Sequence, residues 1–173
     1  MTKTMSRLMA GATVAAVVAG VAGYAQQRTE AATASANVDV SASVAANCLV
    51  SAGSLVFGAY DPLGANDSAA LDASGTFSVR CTRGVTAQVG LDNGLGHDGS
   101  TRRMELSSGG EYLNYSLFSN AGRTTAWDNG ANRVSYTAAS KSAQSLTIYG
   151  RVPGGQDPVA GNYEDTVEAI AEF

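Results

Sequence analysis

Two cysteines, one histidine, one glycine-rich hexapeptide and a scatter of aromatic rings are the residues of this 173-residue chain that could do chemistry. Cys48 and Cys81 are an even pair, and in an oxidising compartment such a pair most simply forms one disulfide. The loop it would close spans about 33 residues, and by chain entropy an unstrained bond contributes about 3 to 4 kcal/mol. With His97 as the sole histidine, the cysteines are too few for a four-ligand zinc site unless carboxylates complete it, so no metal is expected. Gly94-Leu95-Gly96-His97-Asp98-Gly99 fits G-x-G-x-x-G, but no helical pattern follows to aim N–H groups at a pyrophosphate. It therefore reads as a loop, and no cofactor is expected. His97 on that loop reads as a solvated imidazole. Serines are plentiful, yet no G-x-S-x-G elbow occurs and a Ser-His-Asp triad would have to use His97, so no catalytic residue is assigned and an enzyme is not expected. Asn66-Asp67-Ser68 and Asn114-Tyr115-Ser116 are glycosylation sequons of a kind common by chance. Trp127 with the tyrosines at 112, 115, 136, 149 and 163 could stack on a carbohydrate. Tyr115 and Tyr149 fall within strand patterns, which favours packing instead. Arg102-Arg103 reads as a solvated basic pair, and Met104 as the start of a core stretch.

The cysteine argument needs an oxidising compartment, and the first residues supply one. Lys3 and Arg7 form a basic n-region, and Leu8 to Val21 is apolar and free of charge, followed by small residues at Gly23 and Ala25. About thirteen apolar residues fall short of the roughly 20 that a bilayer span takes, so residues 1–25 are expected to be a cleaved export signal and no stable membrane insertion is expected. Gly23-Tyr24-Ala25 and Ala34-Ser35-Ala36 both offer the small residues a signal peptidase reads, which leaves the bond open as late as residue 36. Removal of 25 residues leaves 148, the size of one domain. It also takes Lys3 and Arg7, leaving nine basic against fifteen acidic side chains, a formal charge of −6. That balance argues against nucleic acid or an anionic membrane surface as partner.

Beyond the signal no stretch holds apolar residues at helical spacing over three turns, whereas alternation recurs. Val38, Val40, Ala42, Val44, Ala46 and Cys48 occupy every second position, as one long strand or two end to end. Phe77, Val79 and Cys81, the turn Thr82-Arg83-Gly84, then Val85, Ala87, Val89 and Leu91 read as a hairpin. Further strands are expected at Leu113–Leu117, around Leu146, Ile148 and Val152, and from Tyr163 through Val167, Ala169 and Ala171 to Phe173, which is in phase with its strand and expected to reach the core. Asp92-Asn93-Gly94 and Trp127-Asp128-Asn129-Gly130 supply turn chemistry. The expected class is all-β, a sandwich or barrel. At the N-terminus, Gln26 to Ala36 is a polar lead and Asn37 to Val44 is alternating and short-sided enough to lie in another molecule's groove, although periodicity alone favours the simpler reading of it as the first strand of the chain's own sheet.

Seven segments, in order, resemble the spore coat protein U domain family, which includes the major subunits of archaic chaperone-usher pili. They are Val44-Ala45-Ala46-Asn47-Cys48, Phe57-Gly58-Ala59-Tyr60-Asp61-Pro62, Phe77-Ser78-Val79-Arg80-Cys81-Thr82, Leu113-Asn114-Tyr115-Ser116-Leu117-Phe118, Arg123-Thr124-Thr125-Ala126-Trp127, Tyr149-Gly150-Arg151-Val152-Pro153 and Gly161-Asn162-Tyr163-Glu164-Asp165-Thr166-Val167. The likeness runs from about Val38 to Phe173. It implies an immunoglobulin-like β-sandwich that lacks its last strand, is received by a periplasmic chaperone, and at an outer-membrane usher takes the next subunit's N-terminal segment. The product would be a head-to-tail fibre of this chain and other pilus subunits on the cell surface, serving adhesion or biofilm formation. On this view residues 26–44 form an N-terminal extension or donor strand, with Val38, Val40, Ala42 and Val44 as inserting residues, and 38–173 a pilin domain whose boundary with the donor is open. Cys48 and Cys81 match the family's disulfide. A spore-coat role stays open within the same resemblance. The alternative from another class is a monomeric secreted β-sandwich that binds a glycan, its N-terminal strand folded into its own sheet.

Overall fold

A computed structural model describes residues 30–173, so the expected export signal lies outside the described residues. Residues 30–41 carry no strand, and Ala42–Phe173 form a compact unit. That unit holds β1 (Cys48–Ser54), β2 (Leu71–Cys81), β3 (Thr86–Leu91), β4 (Arg102–Leu106), β5 (Tyr112–Phe118), β6 (Val134–Thr137), β7 (Gln144–Val152), β8 (Tyr163–Glu164) and β9 (Ala169–Glu172). Six strands join in the order β1-β2-β7-β5-β4-β8 and three in the order β6-β3-β9, every pair antiparallel. The all-β class read from the alternation is therefore the class observed. Among the described residues no helix is long and apolar enough to cross a membrane.

Alternation identifies correctly which side of each strand is buried. On β2, Phe77, Val79 and Cys81 point inward while Thr76 and Arg80 are exposed; on β3, Ala87, Val89 and Leu91 point inward. The hairpin reading, however, is corrected. β2 pairs with β1 and β7, whereas β3 pairs with β6 and β9 in the other sheet. The turn at Thr82-Arg83-Gly84 carries the chain across the sandwich, its amides bonded to Asn47 O, Ala138 O and Thr82 O rather than to a hairpin ladder. Both strands present apolar faces, and two such faces bury more surface against each other than side by side in one sheet. The long N-terminal strand is corrected as well, since regular pairing begins only at Cys48, which stands opposite Cys81 and is joined to it by a disulfide. The C-terminal strand divides, β8 adding to β4 and β9 to β3, and Phe173 lies 58% exposed rather than in the core.

Trp127 sits at the centre of the core, 1% exposed, its ring 5.6 Å from that of Phe77 and its Nε1–H donating to Val89 O at 2.9 Å. Beside it lies Arg102, which is 7% exposed, not solvated as the basic-pair reading expected. Its guanidinium donates to Leu91 O at 2.9 Å, Asp92 O at 2.6 Å and Trp127 O at 2.9 Å. The end of β3 and the Trp127 turn thus receive donors that no strand supplies, and a planar fork is the side chain able to reach three carbonyls at once. Burial pushes the Arg102 pKa down, with Tyr115, Asp92, Asp128 and Asp165 opposing that shift. Asp165 closes the same region. Its Oδ2 accepts the Tyr115 hydroxyl at 2.6 Å, and its Oδ1 accepts the amides of Leu95, Gly96 and Thr166. The G-x-G-x-x-G loop does cradle an anion, but the anion is the chain's own carboxylate. Gly94, at φ +79°, is required there because a Cβ would strike Asp165 Oδ2.

Two stability outcomes follow from these contacts. Reduction of Cys48–Cys81, or Cys48→Ser, is expected to destabilise the domain by about 3 to 4 kcal/mol and to lower periplasmic yield, read as a lower urea midpoint and a weaker band after export. Arg102→Ala leaves three buried carbonyls without their charged donor and is expected to cost about 3 kcal/mol or more in urea unfolding. Arg102→Lys should recover only part of it, because an ammonium cannot span the three acceptors as a fork does.

Candidate functional site: two open strand edges

Apart from the Cys48–Cys81 disulfide, the residues that the sequence offered for chemistry do not assemble. His97 is exposed, with Nδ1 3.0 Å from Gly99 O inside its own loop. Trp127 and Tyr115 are buried, and Tyr112 is 39% exposed beneath the Arg103 guanidinium, 4.0 Å from the ring centroid. Trp127 and Tyr115 are thus withdrawn from any carbohydrate-stacking surface. Among the described residues no group of three His, Cys, Asp or Glu side chains is placed to hold a metal ion.

What the fold does leave open is backbone. β1 is bonded to β2 on one side only, and β9 to β3 on one side only, so each is an edge of its sheet. These two edges run close to each other without pairing. The side chains beneath them are apolar and incompletely covered. Val50 stands opposite Val79, which is fully buried, yet Val50 itself is 37% exposed. Ala169 and Ala171 stand opposite Leu91 and Val89, both buried, and are themselves half-buried. Leu55 and Phe57, just past β1, also pack on the core while remaining half-buried. Phe173 continues the inward parity of Ala169 and Ala171 into solvent. The core therefore reaches solvent along the seam where two strands lack partners. Unpaired N–H and C=O groups beside exposed apolar side chains are a template for one more strand.

The bulge between Ser51 and Ser54 shapes one wall of this seam. Gly53 lies against the backbone of Thr76 and Phe77, where a Cβ would collide with Thr76 O, so the bulged edge can hug β2 only with glycine there.

Upstream of β1 lies an apolar alternation with no strand to join. Val38 is 84% exposed, Val40 91% and Val44 85%, Ala42 is exposed too, and residues 30–47 hold no strand. As the polypeptide nears β1 it is held, Ala45 O accepting the Thr82 hydroxyl at 3.2 Å and Asn47 O the Thr82 amide at 2.8 Å. Sequence reasoning had singled out the four alternating residues but not the edges of β1 and β9. Alternation gives the face of a strand, and only the topology shows which strands end a sheet.

Comparison with known proteins agrees with the motifs. The Spore Coat Protein U domain matches residues 34–170. Protein U of Myxococcus xanthus is 37% identical over 172 residues, covering 92% of this chain and 96% of that protein. Among solved structures, the chain is similar to one in the CsuC-CsuE chaperone-tip adhesion subunit pre-assembly complex from the archaic chaperone-usher Csu pili of Acinetobacter baumannii. There the TM-score is 0.53 and the identity 26%, over 75% of this chain and 40% of that one, so this chain spans less than half the length of the neighbour. With its motifs in order, its sheets antiparallel and most of its length matched, the chain belongs to the spore coat protein U domain family.

Proposed function

We propose that this protein is a structural, non-enzymatic subunit of a secreted chaperone-usher pilus or surface coat, and that it polymerises by donor-strand complementation. The observation that carries the reading is the pair of open edges over a half-covered core, in a chain whose own alternating apolar segment has no strand partner. Inserted between β1 and β9, a segment of that kind makes ladder hydrogen bonds on both sides and buries Val38, Val40, Ala42 and Val44 in the seam. Burial of each valine contributes about 1.5 to 3 kcal/mol, and the bonds and pockets must break together for the strand to leave. Dissociation is then slow, as extended-strand addition generally makes it. Because the segment of one copy fills the seam of another, the contact is heterologous and does not close, so it propagates as a filament.

The same seam explains why a chaperone is called for. A lone subunit would carry an apolar, hydrogen-bond-hungry edge through the periplasm, which invites aggregation. A periplasmic chaperone lending a strand removes that hazard, and an outer-membrane usher exchanges it for the segment of the next subunit. The similar Acinetobacter baumannii chain was captured in a complex of chaperone and subunit, which supports this order of events. The route begins at the export signal expected in residues 1–25 and ends at the cell surface, with adhesion or biofilm formation as the service of the fibre. A self-contained glycan-binding module is disfavoured by the burial of Trp127 and Tyr115.

The test is an unheated denaturing gel of the protein exported with its cognate chaperone and usher. Wild type is expected to give a heat-sensitive ladder, and truncation before Val44 to abolish it. Val40→Asp, which puts a charge into an apolar seam, should block the ladder while chaperone binding persists. Normal fibres from that variant would remove Val40 from the donor, and a single monomer band in every lane would sink the polymer reading in favour of the binding module.

A further inference from the structure

Eight of the chain's basic residues lie among the described residues, and five of them are committed. Arg102 is buried on three carbonyls, while Arg103, Arg123, Arg133 and Arg151 pair with Asp98, Asp72, Glu172 and Asp72. The remaining three, Arg80, Arg83 and Lys141, are exposed and have no ion-pair partner among the described residues. All three gather at one end of the sandwich. Arg80 is the penultimate residue of β2, beside the disulfide, and Arg83 sits in the turn to β3, while Lys141 shares with Asn47, Leu49, Arg80 and Thr82 a shallow concavity. In a chain with a net charge of −4, such an uncompensated basic cluster is a local positive patch that attracts anionic groups.

The opposite end of β3 carries the reverse sign. Asp92, Asp98, Asp128, Asp165 and Glu168 surround it against Arg102, Arg103 and Arg133, of which Arg103 pairs with Asp98 and Arg133 with Glu172, and Glu168 is exposed and the Asp98 side chain 77% exposed. Neighbouring amides of Asn132 and Gly130 hold the Asp128 carboxyl below its ordinary range. Six strand residues separate the two ends by about 20 Å, roughly twice the screening length at physiological salt, so they barely neutralise one another within a subunit.

We infer that the Arg80, Arg83 and Lys141 cluster is a second subunit–subunit contact, docking on the acidic end around Glu168 and Asp98 of the adjoining copy. The inference rests on the strand-exchange reading, and the occupant follows from it. The polypeptide that would leave one copy to fill another departs at Asn47, from within this basic concavity. In a head-to-tail chain the cluster therefore faces the neighbour that receives the segment. Of that neighbour's two ends, its own basic end would repel the cluster and its acidic end attract it. The contact requires the inserted segment to run parallel to β1 and antiparallel to β9, so that its Val44 end emerges beside Glu168. The inserted strand holds the copies together, and the charged contact fixes the angle between them.

Polymers assembled with chaperone and usher provide the test, by gel ladder and by bending stiffness in electron micrographs. The combined variant Arg80→Glu, Arg83→Glu and Lys141→Glu should keep the heat-sensitive ladder but lose about half or more of the wild-type persistence length at low salt. Wild type should soften similarly in about 0.5 M salt, where the screening length drops to a few ångström. Adding Glu168→Lys and Asp98→Lys to the triple variant should restore stiffness. Unchanged stiffness in the triple variant, or failure of the compensating pair to restore it, overturns the charged contact while leaving strand exchange intact. A triple variant that loses only retention on a polyanion column, with normal stiffness, assigns the cluster to an anionic polymer and likewise overturns it. Absence of any ladder from wild type defeats the strand-exchange reading and this inference with it.

Discussion

The constraint on which this structure depends is a shortage of backbone partners at one seam. Two sheets of unequal size, six strands and three, enclose a core from Phe77 to Val152, and β1 and β9 meet at its border without bonding. Among the described residues four strands end a sheet, β1, β6, β8 and β9, and of these β1 and β9 lie against each other with Val50, Ala169 and Ala171 half-covered beside them. Edges are usually blunted by proline, charge or a bulge. Here the one bulge, at Ser51–Ser54, shapes the edge without covering it, and Leu49 and Val50 remain exposed along it.

That openness is affordable because the rest of the domain is tied by means other than strand pairing. The disulfide pins the first paired residue of β1 to the last of β2, so the edge strand cannot peel from its anchored end. At the far end, Arg102 and Asp165 act as opposite halves of one device. The cation gathers carbonyls from β3 and the Trp127 turn, and the carboxylate gathers amides from the Gly94–Gly96 loop and the Tyr115 hydroxyl. Elsewhere side chains take over where ladders stop. Gln156 bonds both the N–H and the C=O of Asn114 with its amide, and the Tyr60 hydroxyl bridges Pro153 O and the Gln156 amide. Among the described residues no buried side-chain polar atom lacks a partner, so what the fold leaves open is backbone at the sheet edges, β1 and β9 among them.

What could be read in the sequence was whatever is local. Alternation at Phe77–Cys81, Val85–Leu91 and Leu113–Leu117 gave strands and their buried faces, because the side-chain period of two is a property of each strand alone. Partner choice is not local, which is why β2 and β3 were joined as a hairpin when they belong to opposite sheets. The charge of Arg102 points to solvent, but it shares parity with Met104 and Leu106, and that parity is what the fold follows. β6 escaped notice because Val134 and Tyr136 make only a two-residue alternation. No sequence signal could have tied the Gly94–Gly96 loop to Asp165, some seventy residues on, since a loop that cradles an anion looks the same whether the anion comes from a ligand or from the chain itself.

The alternating run from Val38 to Val44 shows the limit from the other direction. Its pattern is as regular as that of β2 or β3, yet the chain on its own gives it no strand to join. A period of two records that a segment will lie in a sheet with one face buried, and says nothing of whose sheet it is. In a self-sufficient domain every such run should find an edge within the same chain. Here a strand-forming run without a partner coexists with two adjacent unpaired edges, and β1 is reached directly from that run with only Ala45 to Asn47 held against Thr82 between them. So short a tether makes it hard for the run to double back into the seam beside its own β1, and far easier for it to reach outward. In the strand-exchange reading proposed above, surplus and vacancy would cancel between molecules, which is the condition for an open-ended chain of subunits.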